Sequence, residues 1–243
     1  MNRLGRAVIM LYIGITMTRL LWSGSFGFFI QQRMQIPLAL ATVTLLLLGA
    51  YEARTALREE KADENAWRRM SAPRVGLLMI LPLLVLTSVA PTGLGAAAAE
   101  RVEPFQPVTN DVAFPPLEVS DQPLEMRVFD FVARAIADPA ESLNDVPVRL
   151  EGLVVNDPEI DDGFRLTRFL VSCCAADGVP IQVAVRGLDT TFEDDTWVIA
   201  DVVVRTPDVP LSQLPAAERI VEVDVISITV ETDPPTDAYE SPY

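Results

Sequence analysis

Histidine is absent from this chain of 243 residues, and cysteine is nearly so: Cys173 and Cys174 stand side by side in "FLVSCCAADGVP". Each scarcity excludes a class of chemistry. Without histidine no imidazole can serve as the base for a cysteine nucleophile, and none can complete a histidine-assisted metal site. Two neighbouring cysteines cannot build a disulfide framework or the paired CxxC pattern of structural zinc. Basic residues are also scarce in the second part of the chain. Residues 100–243 carry nine Lys+Arg against twenty-nine Asp+Glu, a net of −20. Phosphate binding needs a basic footprint, so nucleic acid is not an expected partner.

Apolar residues are abundant: they make up 50% of the chain, concentrated in its first hundred positions. Residues 1–99 hold ten Lys+Arg and five Asp+Glu, a net of +5, so the two parts differ in both sign and polarity. That split implies two environments. Three apolar segments, at about 7–30, 34–51 and 75–94, each approach the ~20 residues that cross a ~30 Å hydrocarbon core. Arg19 is the charge that interrupts them. Two readings of it stand: a functional charge within a span, or a side chain that snorkels to the interface if the first span ends early, near Trp22.

Orientation follows from the basic loop at 52–74, which holds Arg54, Arg58, Lys61, Arg68, Arg69 and Arg74. Placed in the cytoplasm, this loop puts the N-terminus there too and sends residues 100–243 outside. The expected location is the plasma membrane, multi-pass. The third segment also has the form of an internal signal sequence, with a basic start, an apolar middle and an Ala-x-Ala end that would be cut near Ala99.

Prolines at 104, 107, 115, 116 and 123 make residues 100–123 an expected extended linker. Leu124, Val128, Phe131, Val132, Ala135 and Ile136 recur at helical spacing and predict a helix over 124–137, ended by Asp138-Pro139. Five strand-like runs follow, at about 146–156, 164–174, 180–187, 196–205 and 220–231, separated by turn residues. The alternation of the last run slips at Val225-Ile226, which predicts a bulge. The expected fold class is an α+β membrane protein. Three N-terminal transmembrane helices precede an extracytoplasmic β-barrel of the oligonucleotide/oligosaccharide-binding (OB) type over 124–231, with one preceding helix. A flexible tail is expected over 232–243.

The cysteine pair, with Asp177 three residues further on, is the candidate site. Neighbouring residues of a regular strand point to opposite faces. The two thiols can share a ligand only where the strand breaks, and "AADG" supplies the break. A disulfide between them is strained, since neighbouring Cα atoms are ~3.8 Å apart against a usual ~4.4–6.8 Å. Three readings stay open: a thiophilic ligand or metal site made of Cys173, Cys174 and Asp177, a redox pair, or two small core residues. The acidic stretches "NDPEIDDG" and "FEDDTW" read as solvated loops, the first lacking the calcium-loop pattern. Trp197 reads as a core or rim residue.

Several stretches resemble the YcgQ-like family of bacterial membrane proteins. They are "GFFIQQRMQIPL", "LPLLVLTSVAPTGLGA", "VPVRLEGLVV", "RFLVSCCAADGVPIQVAV" and "DDTWVIADV", with "CCAAD" the most specific. The family often carries a histidine-bearing loop after its second span, which this chain lacks. The resemblance implies a non-enzymatic accessory subunit of a two-part permease, with a multi-pass permease of the YcgR type as its companion. The alternatives are a stand-alone thiol or metal sensor and an extracytoplasmic thiol oxidoreductase.

Overall fold

A computed structural model describes residues 3–62, 93–107, 114–118, 122–138, 141–207, 209–215, 219–232, 235 and 238–242. The chain divides into two units, Met1–Thr92 and Gly93–Tyr243.

In the first unit, helix α1 (Arg3–Ser23) and helix α2 (Gln35–Ala62) are joined by two 3-10 turns. Gly24, with φ of +73°, lets the chain turn where α1 stops. The early end of the first segment, close to Trp22, is thus the one found. The helices pack antiparallel through small residues. A Cβ at Gly14 would meet Leu46 Cδ2 at 2.7 Å, and one at Gly49 would meet Leu11 Cγ at 2.9 Å. Close backbone approach of this kind joins helices where lipid removes the hydrophobic drive between them. Arg6 pairs with Glu52 at 3.6 Å at one end of the hairpin. Ile36, Leu40, Val43, Leu47 and Tyr51 form an exposed apolar stripe on α2, and Val8, Ile15 and Trp22 form one on α1.

One helix among the described residues, Gln32–Arg58, is long and apolar enough to cross a membrane. That is weak evidence for a membrane location. Three transmembrane helices are therefore not shown. Residues 75–92 of the third expected span lie outside the described residues, and Gly93 and Leu94 are not helical.

In the second unit the strand-like runs close into a five-stranded barrel. The strands are β2 (Val148–Val155), β3 (Phe164–Leu170), β4 (Val179–Arg186), β5 (Trp197–Val204) and β6 (Val221–Glu231). Neighbours run β2-β5-β6-β4-β3, and β3 pairs back onto β2 to close the sheet. All these pairs are antiparallel except β4 with β6. Inward positions supply the core: Leu150 and Val154, Leu166, Ile181 and Val183, Val198 and Ala200, Val221 and Val223 are all buried. The expected bulge is present. Val202 faces Val225 and Asp201 faces Ser227, so Ile226 is skipped and is exposed.

The expected helix is shorter than its periodicity implied. Leu124–Glu125 forms a short strand, β1, parallel to β2, and the helix begins only at Val128. It is here numbered α4 (Val128–Ala137), after a single turn α3 (Ala96–Ala99). Val128, Phe131, Val132 and Ile136 bury themselves in the barrel core. The two N–H groups that open α4 are capped from far along the chain. Val128 and Phe129 donate to the two Glu240 carboxylate oxygens at 2.8 Å each.

Three boundaries differ from the sequence reading. Leu94–Ala99, expected at the end of the membrane unit, belongs with the barrel. Ala96 and Ala99 bury against Leu153, Val155, Phe169 and Val171, and apolar contact outweighs continuity with the preceding segment. Part of the expected linker is docked: Phe105 donates its N–H to the Pro180 carbonyl at 2.7 Å and packs on Phe129. The tail expected to be flexible carries strand β7 (Tyr239–Glu240), which pairs parallel with the end of β3 and is buried.

Burial pushes the Glu240 carboxyl above its ordinary range, against the lowering effect of the α4 N–H groups and the Arg168 guanidinium. Glu240→Ala is expected to lower stability by about 2 kcal/mol. One buried and one half-buried donor lose their acceptor, which outweighs the relief of one buried charge. Urea unfolding of the 93–243 unit, followed by Trp197 fluorescence, measures it. An unchanged midpoint would show that Glu240 does not cap the helix.

Candidate functional site

Strand β3 ends at Leu170 because its last apolar residues are already satisfied. Phe169 and Val171 are buried in a second apolar cluster, and the Val171 N–H donates to the Glu240 carbonyl at 2.9 Å. The chain then turns. Ser172 and Cys173 form a bend, Cys174 makes an isolated bridge, Ala175–Asp177 make one 3-10 turn, and β4 starts at Val179. The strand expected to reach Cys174 stops four residues earlier, so both thiols lie outside the regular pleat.

Asp177 holds this turn together. Its Oδ1 accepts the Ser172 N–H at 2.9 Å, and its Oδ2 accepts the Cys173 N–H at 2.9 Å and the Cys174 N–H at 3.5 Å. The Asp177 N–H in turn donates to the Cys174 carbonyl at 2.9 Å. The thiols are free. Cys173 is exposed and Cys174 is half-buried. Their sulfurs are 3.8 Å apart, and Cys173 Sγ lies 3.0 Å from Asp177 Oδ2. The two sulfurs and one carboxylate oxygen fall within 4.8 Å of one another.

Electrostatics follow from this geometry. The thiol of Cys173 is pushed up to about 11, first by its hydrogen bond to Asp177 and then by that to Cys174. Losing the proton would leave a thiolate against a carboxylate. For Asp177, desolvation alone would raise the carboxyl, but the Cys173 thiol and the N–H groups of Cys173, Ser172 and Cys174 outweigh it and hold it below its ordinary value.

The turn sits beside the point where the chain joins the barrel. A Cβ on Gly178 would collide with Leu94 Cδ1. The Leu94 N–H donates to the Tyr239 hydroxyl at 3.0 Å, and the Ala96 N–H to Asp195 Oδ1 at 2.6 Å. These anchors were not visible in the sequence, where "FEDDTW" read as solvated. Its Asp194 accepts both the N–H and the side-chain amide of Asn156, and Asp195 adopts a φ of 66° to reach Ala96. "NDPEIDDG" is likewise tied down, Asp157 pairing with Arg165 and Asp162 with Arg186. Trp197 is half-buried on the second cluster, with the Arg168 guanidinium 5.1 Å from its ring centre. A separate cavity of about 570 Å³ includes Asp157, Arg165, Arg186, Arg205 and Glu222 in its lining. Each of its three guanidinium groups already faces a carboxylate.

Comparison with known families picks out the barrel and its cysteine turn. A DUF1980 C-terminal domain is found at residues 124–237. The DUF1980 match spans β1, α4 and all five barrel strands, contains Cys173, Cys174 and Asp177, and is consistent with the YcgQ-like resemblance. No curated protein matches the chain. Among solved structures the chain is similar to a "putative aspartyl-tRNA synthetase from Leishmania major Friedlin", with 10% identity and a TM-score of 0.27. The match covers 52% of this chain and 23% of that one, and nothing about fold or activity is transferred from it.

Proposed function

We propose that the chain is a non-enzymatic accessory subunit of a multi-pass permease of the YcgR type. Its OB-like barrel, held outside the cytoplasm by three membrane spans, presents Cys173, Cys174 and Asp177 to a thiophilic ligand or metal. The observation that carries the ligand reading is the clustering of two free sulfurs and a carboxylate oxygen within 4.8 Å on an exposed turn. Regular strand geometry would have turned the sulfurs apart. The exposed apolar stripes of α1 and α2 support a lipid-facing hairpin. The basic loop at 52–74 supports a cytoplasmic N-terminus. The permease partner rests on the YcgQ-like resemblance, with which the DUF1980 match is consistent.

The rival readings are a stand-alone sensor and a thiol oxidoreductase. A thiol held at about 11 weighs against the oxidoreductase, because exchange begins with attack by a thiolate.

One experiment tests orientation and partnership together. Glu159, an exposed barrel residue, is changed to cysteine in a chain carrying Cys173→Ser and Cys174→Ser. Intact cells are treated with a membrane-impermeant biotin-maleimide, solubilised in mild detergent and captured on streptavidin. The expected result is labelling from outside and co-capture of a multi-pass permease. Labelling only after lysis would overturn the orientation. Labelled chain that brings down no permease would favour the lone sensor.

A further inference from the structure

The spacing of the three donor atoms narrows the class of ion, taking the turn as a ligand site as above. Two thiolates bound at ~2.3 Å to a tetrahedral zinc-type ion stand about 3.8 Å apart. The two sulfurs here are 3.8 Å apart before any ion arrives. A thiolate and a carboxylate oxygen on the same ion stand about 3.6 Å apart. The observed 3.0 Å between Cys173 Sγ and Asp177 Oδ2 is a hydrogen bond that opens by a small rotation of the cysteine side chain. A linear bis-thiolate ion with similar bonds would need sulfurs about 4.6 Å apart, further from the 3.8 Å found, and would leave the adjacent Asp177 carboxylate without a place in its coordination. Hard cations such as calcium or magnesium want six or more oxygens, and a single carboxylate with two sulfurs cannot supply them.

Preorganisation supports the same class. Asp177 is fixed by the N–H groups of Ser172 and Cys173, so its Oδ2 is already placed beside the pair. With three protein donors, a four-coordinate ion keeps one position open, and Cys173 is exposed to solvent. We infer that Cys173, Cys174 and Asp177 form an open, three-ligand tetrahedral site for a zinc-class divalent ion. The fourth position is free for a donor from a second molecule, so the ion is exchanged rather than stored. On binding, two S–H bonds break, two metal–sulfur bonds form, and the two protons leave to solvent.

Cobalt(II) reports both geometry and donor set, and the test uses the full chain, reduced and in detergent, under anaerobic conditions. The expected result is one cobalt per chain, with the visible bands of a tetrahedral ion and a thiolate charge-transfer band bleached by zinc. A small monothiol should enter the open position and raise that band by about half, as a third thiolate joins two. Asp177→Asn should keep the charge-transfer band and weaken cobalt binding at least tenfold. Cys173→Ser and Cys174→Ser should each weaken binding and leave about half of the band per bound cobalt, and the double variant should remove it, with circular dichroism confirming that the barrel is intact. Octahedral cobalt bands, or binding of silver(I) without cobalt or zinc, would overturn the zinc-class assignment while leaving a thiophilic site. No response to the monothiol would overturn the open position. Failure of every ion tried would defeat the underlying ligand reading itself.

Discussion

Asp177→Asn is expected to speed alkylation of Cys173 by about tenfold at pH 8. In the wild-type turn the thiol sits at about 11, raised from 9.0 chiefly by its hydrogen bond to the Asp177 carboxylate. At pH 8 only about one molecule in a thousand is then thiolate. Asparagine keeps an acceptor for the Ser172 and Cys173 N–H groups but removes the negative charge, so the thiol moves back toward its ordinary value. The thiolate fraction then rises by about a hundredfold. The released thiolate is also a weaker nucleophile, which cuts the gain by about ten. The two effects leave the tenfold increase. The sign also fixes the shape of the profile. The wild-type rate should still be climbing at pH 10, whereas that of the variant should flatten near pH 9. Iodoacetamide kinetics with Cys174 left in place, resolved at Cys173 by peptide mass spectrometry, measures both. Equal rates and identical profiles would mean that Asp177 does not hold the Cys173 proton.

The second large effect is structural and lies on the far side of the barrel from any chemistry. Gly163→Ala is expected to destabilise the domain by about 3 kcal/mol, or about 10 °C in Tm. A Cβ at this position would collide with the backbone carbonyl oxygen of Val185. Phe164 faces Val185 in the first rung of the β3–β4 ladder, so strand backbone rather than a flexible side chain has to give way. Thermal unfolding of the 93–243 unit by circular dichroism measures it. A Tm within 2 °C of wild type would show that the β2–β3 loop absorbs the methyl group.

Local pattern carried much of this architecture. Val148, Leu150 and Val154 alternate, and their strand is buried on that face. The parity slip at Val225-Ile226 marked a bulge because an inserted residue shifts every later side chain to the other face. Pattern was weaker at ends. The helix that periodicity began at Leu124 starts at Val128, because Leu124 and Glu125 are drawn into a ladder with Val148 and Arg149. Gly152 shows the same limit from the other side. Its spacing says only "strand", while closure of β2 on β3 leaves no room for a Cβ, which would stand 2.9 Å from the Thr167 carbonyl oxygen.

The sequence by itself determined that this chain has an apolar, basic first part and an acidic second part. It also determined that five β runs follow one helix, and that the two cysteines stand where a strand must break. These are properties of neighbours along the chain, set by side-chain period and turn chemistry. The tertiary structure alone decided that Glu240 caps a helix beginning 112 residues earlier, and that Leu94 lies against the cysteine turn. It alone placed the sulfurs of Cys173 and Cys174 3.8 Å apart with a carboxylate beside them. Barrel closure brings distant segments to one edge, and burial there outweighs the local preferences that sequence pattern can display.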